Sequence, residues 1–402
     1  MINREPLEVW RKNLYILFLV NLLTILGHSL LVPFLALYID EMGASSRSTE
    51  FWVGMAFAGH ACAIGIASPF WGALSDRVGR KIMAQRATIG GALVLSLLAL
   101  AQTPLQVVLL RIGHGAITGI VPSSNALVSA SVPSERRGQS MGMLNAAMWI
   151  GGSTGPLIGS LIINTFGFSA VFYSTATCLL VSGLCVTLFI DEDFKPSYEE
   201  RVDWRATIMK WRNILVSQDL LKIYSISFMT RTGAGVLAPF LALFVMTILT
   251  PAETSSSITG LVIAVRSGCA AISALTMGRL GDRIGHQRML MASLIVASTA
   301  YALAMLVTQS WQLVVISAFI GIAMGGVFPS VTTLMSQRGR NQQIGAIYGI
   351  NHSVSGGARM IASLLGIAVI SVLGLRSIFG VVSILFGVAA LMTATSRLEA
   401  RA

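Results

Sequence analysis

The pentapeptide PFLAL occurs twice in this chain of 402 residues, at Pro33–Leu37 and again at Pro239–Leu243. The offset of 206 residues between the two copies also relates glycine, aspartate and arginine positions elsewhere in the sequence. Self-similarity at one fixed offset indicates a chain built from two copies of one unit. The further pairs are Gly54 with Gly260, Gly72 with Gly278, Asp76 with Asp282, Arg77 with Arg283, and Gly79 with Gly285.

The composition predicts that both units lie in a lipid bilayer. Apolar residues make up 54% of the chain, charged residues only 11%, and the mean hydropathy is +0.75. A helix needs about 20 mostly apolar residues to cross the hydrocarbon core, and twelve stretches are long enough. We therefore predict an all-α membrane protein. Its predicted spans 1 to 12 are residues 14–38, 52–74, 83–101, 105–127, 140–164, 169–190, 223–249, 258–279, 289–307, 312–335, 344–371 and 375–394.

The distribution of basic residues predicts the orientation of these spans. With both termini in the cytoplasm, 22 of the 28 Lys and Arg residues fall on the cytoplasmic side, and only Arg47 and Arg376 on the outer side. This asymmetry follows the positive-inside rule. Orientation thereby explains the net charge of +11, so no nucleic-acid partner is expected. The expected location is the bacterial inner membrane.

A polar stretch from Asp191 to Asn213 lies near the midpoint of the chain. It predicts an N-terminal six-helix bundle at residues 1–190, a cytoplasmic linker at 191–222, and a C-terminal six-helix bundle at 223–402. Six spans followed by six similar spans in the same orientation predict two pseudo-symmetric bundles, related by an axis along the membrane normal. A substrate site is expected between them at mid-membrane.

Two short cytoplasmic loops are also copies of each other, GALSDRVGRK at Gly72–Lys81 and GRLGDRIGHQR at Gly278–Arg288. Turns this short need glycine, and a carboxylate in them can pair with arginine or cap the N-terminus of a neighbouring helix. We therefore expect a conformational latch between the bundles, with a plain charged turn as the alternative. Its predicted residues are Gly72, Asp76, Arg77, Gly79, Arg80, Asp282 and Arg283.

The first of these loops resembles the signature G-x-L-x-D-R-x-G-R-K of the major facilitator superfamily. In span 5, GMLNAAMWIGGSTGPLIGS from Gly142 resembles the antiporter motif of the drug/proton antiporters with twelve spans, except that Ser160 replaces a second glycine. Glycines four residues apart let another helix approach closely, and proline adds a bend. Helix packing alone is the alternative explanation. The motif residues are Gly142, Gly151, Gly155, Pro156 and Gly159.

In span 4, RIGHGAITG resembles the family's R-x-x-x-G pattern through Arg111 and Gly115. The first half of the chain is most similar to the multidrug-resistance protein G type of bacterial efflux pump. The resemblance implies the major facilitator fold of two six-helix bundles and export by alternating access. It also implies that spans 1, 4, 7 and 10 line a central cavity. The side chains expected there are His28, Arg111, His114 and Arg231.

The charged side chains inside the spans are all basic. The 17 acidic residues lie in loops or at span ends, whereas four arginines and four histidines lie within the spans. A charge at that depth is costly, so each is expected to face the protein interior or a wet cavity. The alternative is a structural role, in which these side chains bond to backbone carbonyls. Through the offset of 206 residues, His60 corresponds to Arg266. The predicted substrate and proton pathway comprises Asn21, Thr24, His28, Arg111, His114, Arg231, Arg266, His352 and Arg359.

Basic side chains without acid favour an anionic or amphipathic small molecule, such as a phosphonate, an organic acid or a carboxylate siderophore, over a lipophilic cation. Proton antiport would then need a histidine, which titrates near neutral pH. His28 is the first choice, His114 the second, and Asp40 at the end of span 1 a weaker candidate. Alternatively, voltage alone drives anion export, since moving one charge through 100 mV is worth about 2.3 kcal/mol.

An exporter is the leading hypothesis among several. The alternatives are an exporter of one specific carboxylate metabolite or siderophore, a symporter of organic acids or sugars on the same fold, and a membrane sensor that does not transport. The sequence contains no recognisable catalytic constellation, P-loop or metal-ligand motif, so neither enzymatic activity nor a cofactor or metal is expected. We expect a monomer in the lipid bilayer that carries a small-molecule substrate, with protons as candidate coupling ions.

Overall fold

Helices account for every regular element in the residues that the computed structural model describes, which are 6–43, 46–132, 137–192, 218–248, 255–338 and 344–396. A 3-10 turn at Val32–Phe34 and a π-helical segment at Arg86–Gly90 interrupt the α-helices. The α-helices are α1 Pro6–Leu31, α2 Leu35–Glu41, α3 Ser46–Val78, α4 Arg80–Gln85, α5 Gly91–Leu98, α6 Pro104–Ile117, α7 Ile120–Ser131, α8 Arg137–Phe166, α9 Phe168–Phe189, α10 Gln218–Leu237, α11 Leu241–Ile248, α12 Ser255–Ile284, α13 His286–Ala304, α14 Ser310–Arg338, α15 Ile344–Leu373 and α16 Ser377–Thr395.

The chain forms two compact units. The first unit comprises Met1–Ala44 and Gly59–Glu199, and the second comprises Ser45–Ala58 and Glu200–Ala402. Helix α3 therefore contributes residues to both units. The bundle boundaries expected at residues 190 and 223 remain a prediction, and residues 193–217 of the expected linker lie outside the described residues.

Each copy of PFLAL lies at a break in a span. Pro33 is in the 3-10 turn between α1 and α2, and Pro239 is in the turn between α10 and α11, which are bent by 47°. Proline has no N–H to donate to the helical ladder and its ring crowds the preceding turn, so it favours a kink or a break in a helix. The repeated sequence thus produces a repeated break in spans 1 and 7.

The phenylalanine that follows each proline is buried against a glycine. Phe34 is 1% exposed, and a Cβ on Gly159 of α8 would lie 2.9 Å from its ring. Phe240 is fully buried in the second unit, and a Cβ on Gly366 of α15 would collide with its ring. In the first unit span 1 therefore packs on a glycine of span 5, and in the second unit span 7 packs on a glycine of span 11.

Helices occupy all twelve predicted spans, but not every span is a single helix that is long and apolar enough to cross a membrane. In the described ranges, eight helical segments are long and apolar enough to cross a membrane, and nine if the bent pair α10 and α11 is one span. Spans 3, 4 and 9 are not among them. The π-helical segment interrupts span 3, span 4 breaks at Thr118–Gly119, and α13 begins with three polar residues that lower its mean hydropathy.

Candidate functional site

Three histidines from three helices lie side by side in the first unit. The ring centroids of His28 on α1 and His114 on α6 are 5.1 Å apart, with the rings tilted by 40°. Those of His114 and His60 on α3 are also 5.1 Å apart, and these rings are nearly parallel. We call this arrangement, with His114 in the middle, the histidine stack. Within the described ranges, no group of three His, Cys, Asp or Glu side chains is arranged to hold a metal ion.

Backbone carbonyl groups orient the two outer rings of the stack. His28 Nδ1 lies 2.8 Å from the carbonyl oxygen of Thr24, one helical turn earlier. His60 Nδ1 lies 3.1 Å from the carbonyl oxygen of Arg111. Because a carbonyl oxygen can only accept a hydrogen bond, both Nδ1 atoms carry a hydrogen and donate it.

The middle ring and the neighbouring arginine are buried. His114 is 1% exposed and Arg111 is 2% exposed. Neither ring nitrogen of His114 has a hydrogen-bond partner in the part of the chain that the structure describes. An unsatisfied buried polar group costs about 1–3 kcal/mol, which an apolar packing residue would avoid. We therefore take His114 as the centre of the candidate site.

Glycines allow the helices of the stack to approach each other closely. A Cβ on Gly115 would collide with the carbonyl oxygen of His60 and lie 3.0 Å from its Nδ1. A Cβ on Gly59 of α3 would lie 2.7 Å from a side chain of α6. Because α3 and α6 meet this closely, Arg111 and His114 are buried within the first unit. Their position on a cavity wall remains a prediction.

The predicted polar face of span 1 is directed toward α9 beside the stack. Thr24 Oγ1 donates a hydrogen bond to Ser182 Oγ of α9 at 3.4 Å. Asn21 Nδ2 donates to the carbonyl oxygen of Leu17 at 2.9 Å, while Asn21 Oδ1 is buried without a partner among the described residues. The structure therefore brings Asn21, Thr24 and His28 together on one side of α1.

The glycines of the span 5 motif lie against α1. A Cβ on Gly151, Gly155 or Gly159 would come within 2.5 to 2.9 Å of backbone atoms of α1. Gly142 faces open space, and Pro156 lies inside α8. Helices α8 and α1 consequently pack backbone to backbone over more than two turns.

In the second unit, Arg231 of α10 has polar and aromatic neighbours. Its Nε donates to Ser227 Oγ at 3.3 Å, and Ser227 Oγ donates to Asn351 Oδ1 at 2.8 Å. Its guanidinium carbon lies 5.4 Å from the ring centroid of Phe328. Arg231 is thus held by an uncharged hydrogen-bonded pair and an aromatic face.

Of the remaining pathway residues of the second unit, Arg359 lies close enough to Arg231 for their like charges to interact. A Cβ on Gly321 of α14 would collide with the carbonyl oxygen of Arg266, so α12 and α14 are closely packed there. The Arg359 side chain is exposed on α15, and the His352 side chain lies outside the described residues.

The predicted latch residues surround two glycines that have the same backbone conformation. Gly79 and Gly285 have φ angles of +100° and +95°, in the region that favours glycine. In the second copy, Asp282 Oδ1 lies 3.0 Å from His286 Nε2, while Gly72 and Arg283 are exposed. The side chains of Asp76 and Arg77 lie outside the described residues.

A carboxylate from farther along the chain caps a helix at the first latch loop. The two oxygens of Glu192 accept hydrogen bonds from the backbone N–H groups of Arg80 at 3.0 Å and Lys81 at 2.8 Å, at the start of α4. Lys81 Nζ also donates to the carbonyl oxygen of Ile190 at 2.7 Å. The sequence pointed to Asp76 or Asp282 as capping groups and gave no local signal for Glu192, because the cap depends on a contact between distant segments.

Arg86 is a second residue that the sequence patterns did not single out. It begins the π-helical segment, and its guanidinium carbon lies 3.7 Å from the ring centroid of Trp71. Its Nη2 donates to the carbonyl oxygen of Thr118 at 3.4 Å, where span 4 breaks, and Trp71 Nε1 donates to that of Ala116 at 2.6 Å. π-Helical segments occur frequently at functional sites. In the sequence, Arg86 lies at the cytoplasmic end of predicted span 3, and it is counted with the basic residues of the preceding loop.

The geometry defines a class of protein, namely an α-helical membrane protein with basic and titratable side chains at membrane depth, as transporters have. The chain belongs to the Major Facilitator Superfamily, whose family model matches residues 17–230 and 223–401. It is therefore an integral membrane transporter, and the predicted all-α fold of this superfamily is confirmed.

Curated relatives of similar length indicate the branch of the superfamily. The chain is 33% identical over 384 residues to the multidrug resistance protein MdtG of Dickeya zeae, covering 94% of this chain and 92% of the relative. It is 34% identical over 372 residues to MdtG of Citrobacter koseri, with coverage of 92% and 91%. Among solved structures, the nucleoside transporter NupG has a TM-score of 0.78 at 12% identity, covering 95% of this chain and 99% of that one, which supports the fold.

Proposed function

We propose that this transporter is an exporter of the bacterial inner membrane. It moves small amphipathic or anionic organic compounds out of the cytoplasm by alternating access between two six-helix bundles. Both termini lie in the cytoplasm, and the inward flow of protons drives the outward flow of cargo. The full-length similarity to proteins named for multidrug resistance supports the outward direction.

The packing of α8 on α1 supports a helix movement in the first unit. At Gly151, Gly155 and Gly159, α8 presents no side chain of its own to the α1 backbone. Glycine faces let helices approach at backbone distance. Because the three glycines have no side chains to interlock with α1, α8 can tilt against α1 at this contact as access changes.

The proposal of an anionic cargo rests on one observation, the positive charge of the first unit. The Arg111 guanidinium is buried next to the histidine stack, and the segments 10–31, 59–75, 91–98, 104–131 and 168–189 contain no Asp or Glu. The acids of α1 and α3, which are Glu8, Glu50 and Asp76, lie within four residues of the helix ends. A guanidinium matches the geometry of carboxylate and phosphonate groups. A lipophilic cation would be repelled by the same charges.

Transport by everted membrane vesicles tests the direction and the cargo charge. An exporter loads such vesicles, so vesicles containing the wild-type chain should accumulate the organic anion carboxyfluorescein when acidified inside. Loss of one partner of a buried charge pair costs about 2–5 kcal/mol, so Arg111→Gln should lower the uptake at least about tenfold. Filtration and quantification of the trapped dye give the rate.

The control variant is Arg11→Gln, which removes an exposed arginine and should leave the rate unchanged. Uptake of the cation ethidium that outcompetes carboxyfluorescein would contradict the anionic cargo. Release of dye from loaded vesicles, with no uptake under the same gradient, would contradict export.

A further inference from the structure

The histidine stack contains two rings whose proton-accepting atom can be assigned. Because His28 Nδ1 and His60 Nδ1 donate to the carbonyl oxygens of Thr24 and Arg111, the neutral form of each ring has its hydrogen on Nδ1. The lone pair, and therefore the position that takes up a proton, is Nε2 in both rings. The hydrogen bonds to the carbonyls are kept when the ring becomes an imidazolium, since Nδ1 donates in both states.

The middle ring connects the two outer ones. His114 lies 5.1 Å from each of them, is buried, and has no hydrogen-bond partner on either nitrogen among the described residues. His28 and His60 are each partly exposed, so a proton can reach an outer ring without entering the buried position. Three coupled imidazoles of this kind titrate as one system, not as three separate groups.

The surroundings limit the charge that the stack can carry. Among the described residues, the charged side chain that interacts with the stack is Arg111 of α6. Cys178 of α9 lies against Gly27, next to His28 in the chain, and α5 presents Gly91, on which a Cβ would lie 3.7 Å from His114 Nε2. None of these groups is a carboxylate. A second proton would add a positive charge beside an imidazolium and the Arg111 guanidinium, and like charges at such distances disfavour double protonation.

We propose that His28, His114 and His60 together bind a single proton, which enters at Nε2 of an outer ring and is shared across the stack. Binding forms one N–H bond and converts one imidazole to an imidazolium, and release reverses this. This role rests on the proposed antiport. In that cycle, the stack sets a stoichiometry of one proton for each transport event and supplies the coupling group that the acid-free spans lack.

Proton uptake by the purified full chain tests the proposal without any cargo. Potentiometric titration from pH 8 to pH 5 compares the wild type with the triple variant His28→Gln, His60→Gln, His114→Gln. The wild type should take up about one proton more than the triple variant, whereas independent histidines would take up about three. The single variants His28→Gln and His60→Gln should still take up about one proton more than the triple variant, because His114 and the remaining outer ring share it.

The matched control is His286→Gln, which removes a histidine of α13 outside the stack and should leave these differences unchanged. Nitrogen-15 NMR of histidine-labelled wild-type protein should show Nε2 without hydrogen in His28 and His60 at pH 8, where the titration starts. If the triple variant fails to fold, the same spectra count the protonated rings of the wild type directly. A wild-type count of zero, two or three overturns the proposal, as does a loss of uptake in His28→Gln or His60→Gln. Failure of export with a count of one would instead contradict the proposed function alone.

Discussion

At the scale of single residues, a side chain on Gly155 has no room. Its Cβ would lie 2.5 Å from the Ser29 Cβ and 2.9 Å from the carbonyl oxygen of Leu26, and the α1 backbone cannot yield as a flexible side chain would. Overpacking of this kind costs about 1–3 kcal/mol. We therefore expect Gly155→Ala to lower the thermal unfolding midpoint of the purified protein and to slow carboxyfluorescein uptake.

Gly152 supplies the control for this prediction. It lies in the same helix, and a Cβ there would meet nothing within 4 Å. Replacing a helical glycine by alanine gains about 1 kcal/mol of helix propensity in both variants, so the difference between them isolates the contact with α1. Equal midpoints for Gly155→Ala and Gly152→Ala would contradict the packing argument.

At the residue scale, the sequence identified the basic side chains but not all of their partners. Arg111 and His114 stand out because they interrupt an apolar stretch, and the spacing of Gly151, Gly155 and Gly159 indicates a close helix contact. The contact of His60 with His114 depends on the rotation of α3 against α6, which a single sequence does not encode locally. Helical periodicity shows which residues share a face but not which face meets which.

At the scale of elements, Glu192 holds the start of α4. Its carboxylate accepts the N–H groups of Arg80 and Lys81, which would otherwise be unpaired at the positive end of a helix. Glu192→Gln removes the charge and one accepting oxygen, at a cost of about 0.5–2 kcal/mol. Hydrogen exchange followed by mass spectrometry should show faster exchange in the peptide that covers α4.

Asp191→Asn is the matched variant for this experiment. It alters the neighbouring acid, which pairs with Lys12 Nζ at 2.8 Å on the surface, where ion pairs contribute about 0–1 kcal/mol. Exchange in the α4 peptide should stay at the wild-type rate. Faster exchange in Asp191→Asn than in Glu192→Gln would show that the surface ion pair, not the cap, holds the helix.

The breaks within spans show how far element boundaries can be predicted. Pro33 and Pro239 explain the breaks in spans 1 and 7 by a local rule, since proline lacks the N–H that a helix needs. The break of span 4 has no proline at Thr118–Gly119. It is stabilised by Arg86 and Trp71, which bond to the carbonyl oxygens of Thr118 and Ala116, and such tertiary contacts have no sequence signature.

At the scale of the whole molecule, the internal repeat predicts the shared features of the two copies and fails where the copies diverge. Gly119 has a φ angle of +144° and immediately precedes α7, whereas Gly325, its counterpart at the offset of 206 residues, lies within the continuous helix α14. Arg86 and Trp71 correspond through the offset to Ala292 and Met277, which cannot form the same cation–π pair. The second copy therefore lacks the side chains that stabilise a broken span.

The predicted orientation of the chain can be tested by labelling single cysteines. The four native cysteines are free and lie within helices, so they can be replaced by alanine before new ones are introduced. Gln102 and Gln309 are exposed at the ends of spans that the positive-inside rule places outside, and Arg11 and Gln337 are exposed at the opposite ends. In intact cells, a membrane-impermeant maleimide should label cysteine at 102 and 309, and should label cysteine at 11 and 337 only after permeabilisation. The reverse pattern would place both termini outside and would turn the proposed exporter into an importer without any change in its fold.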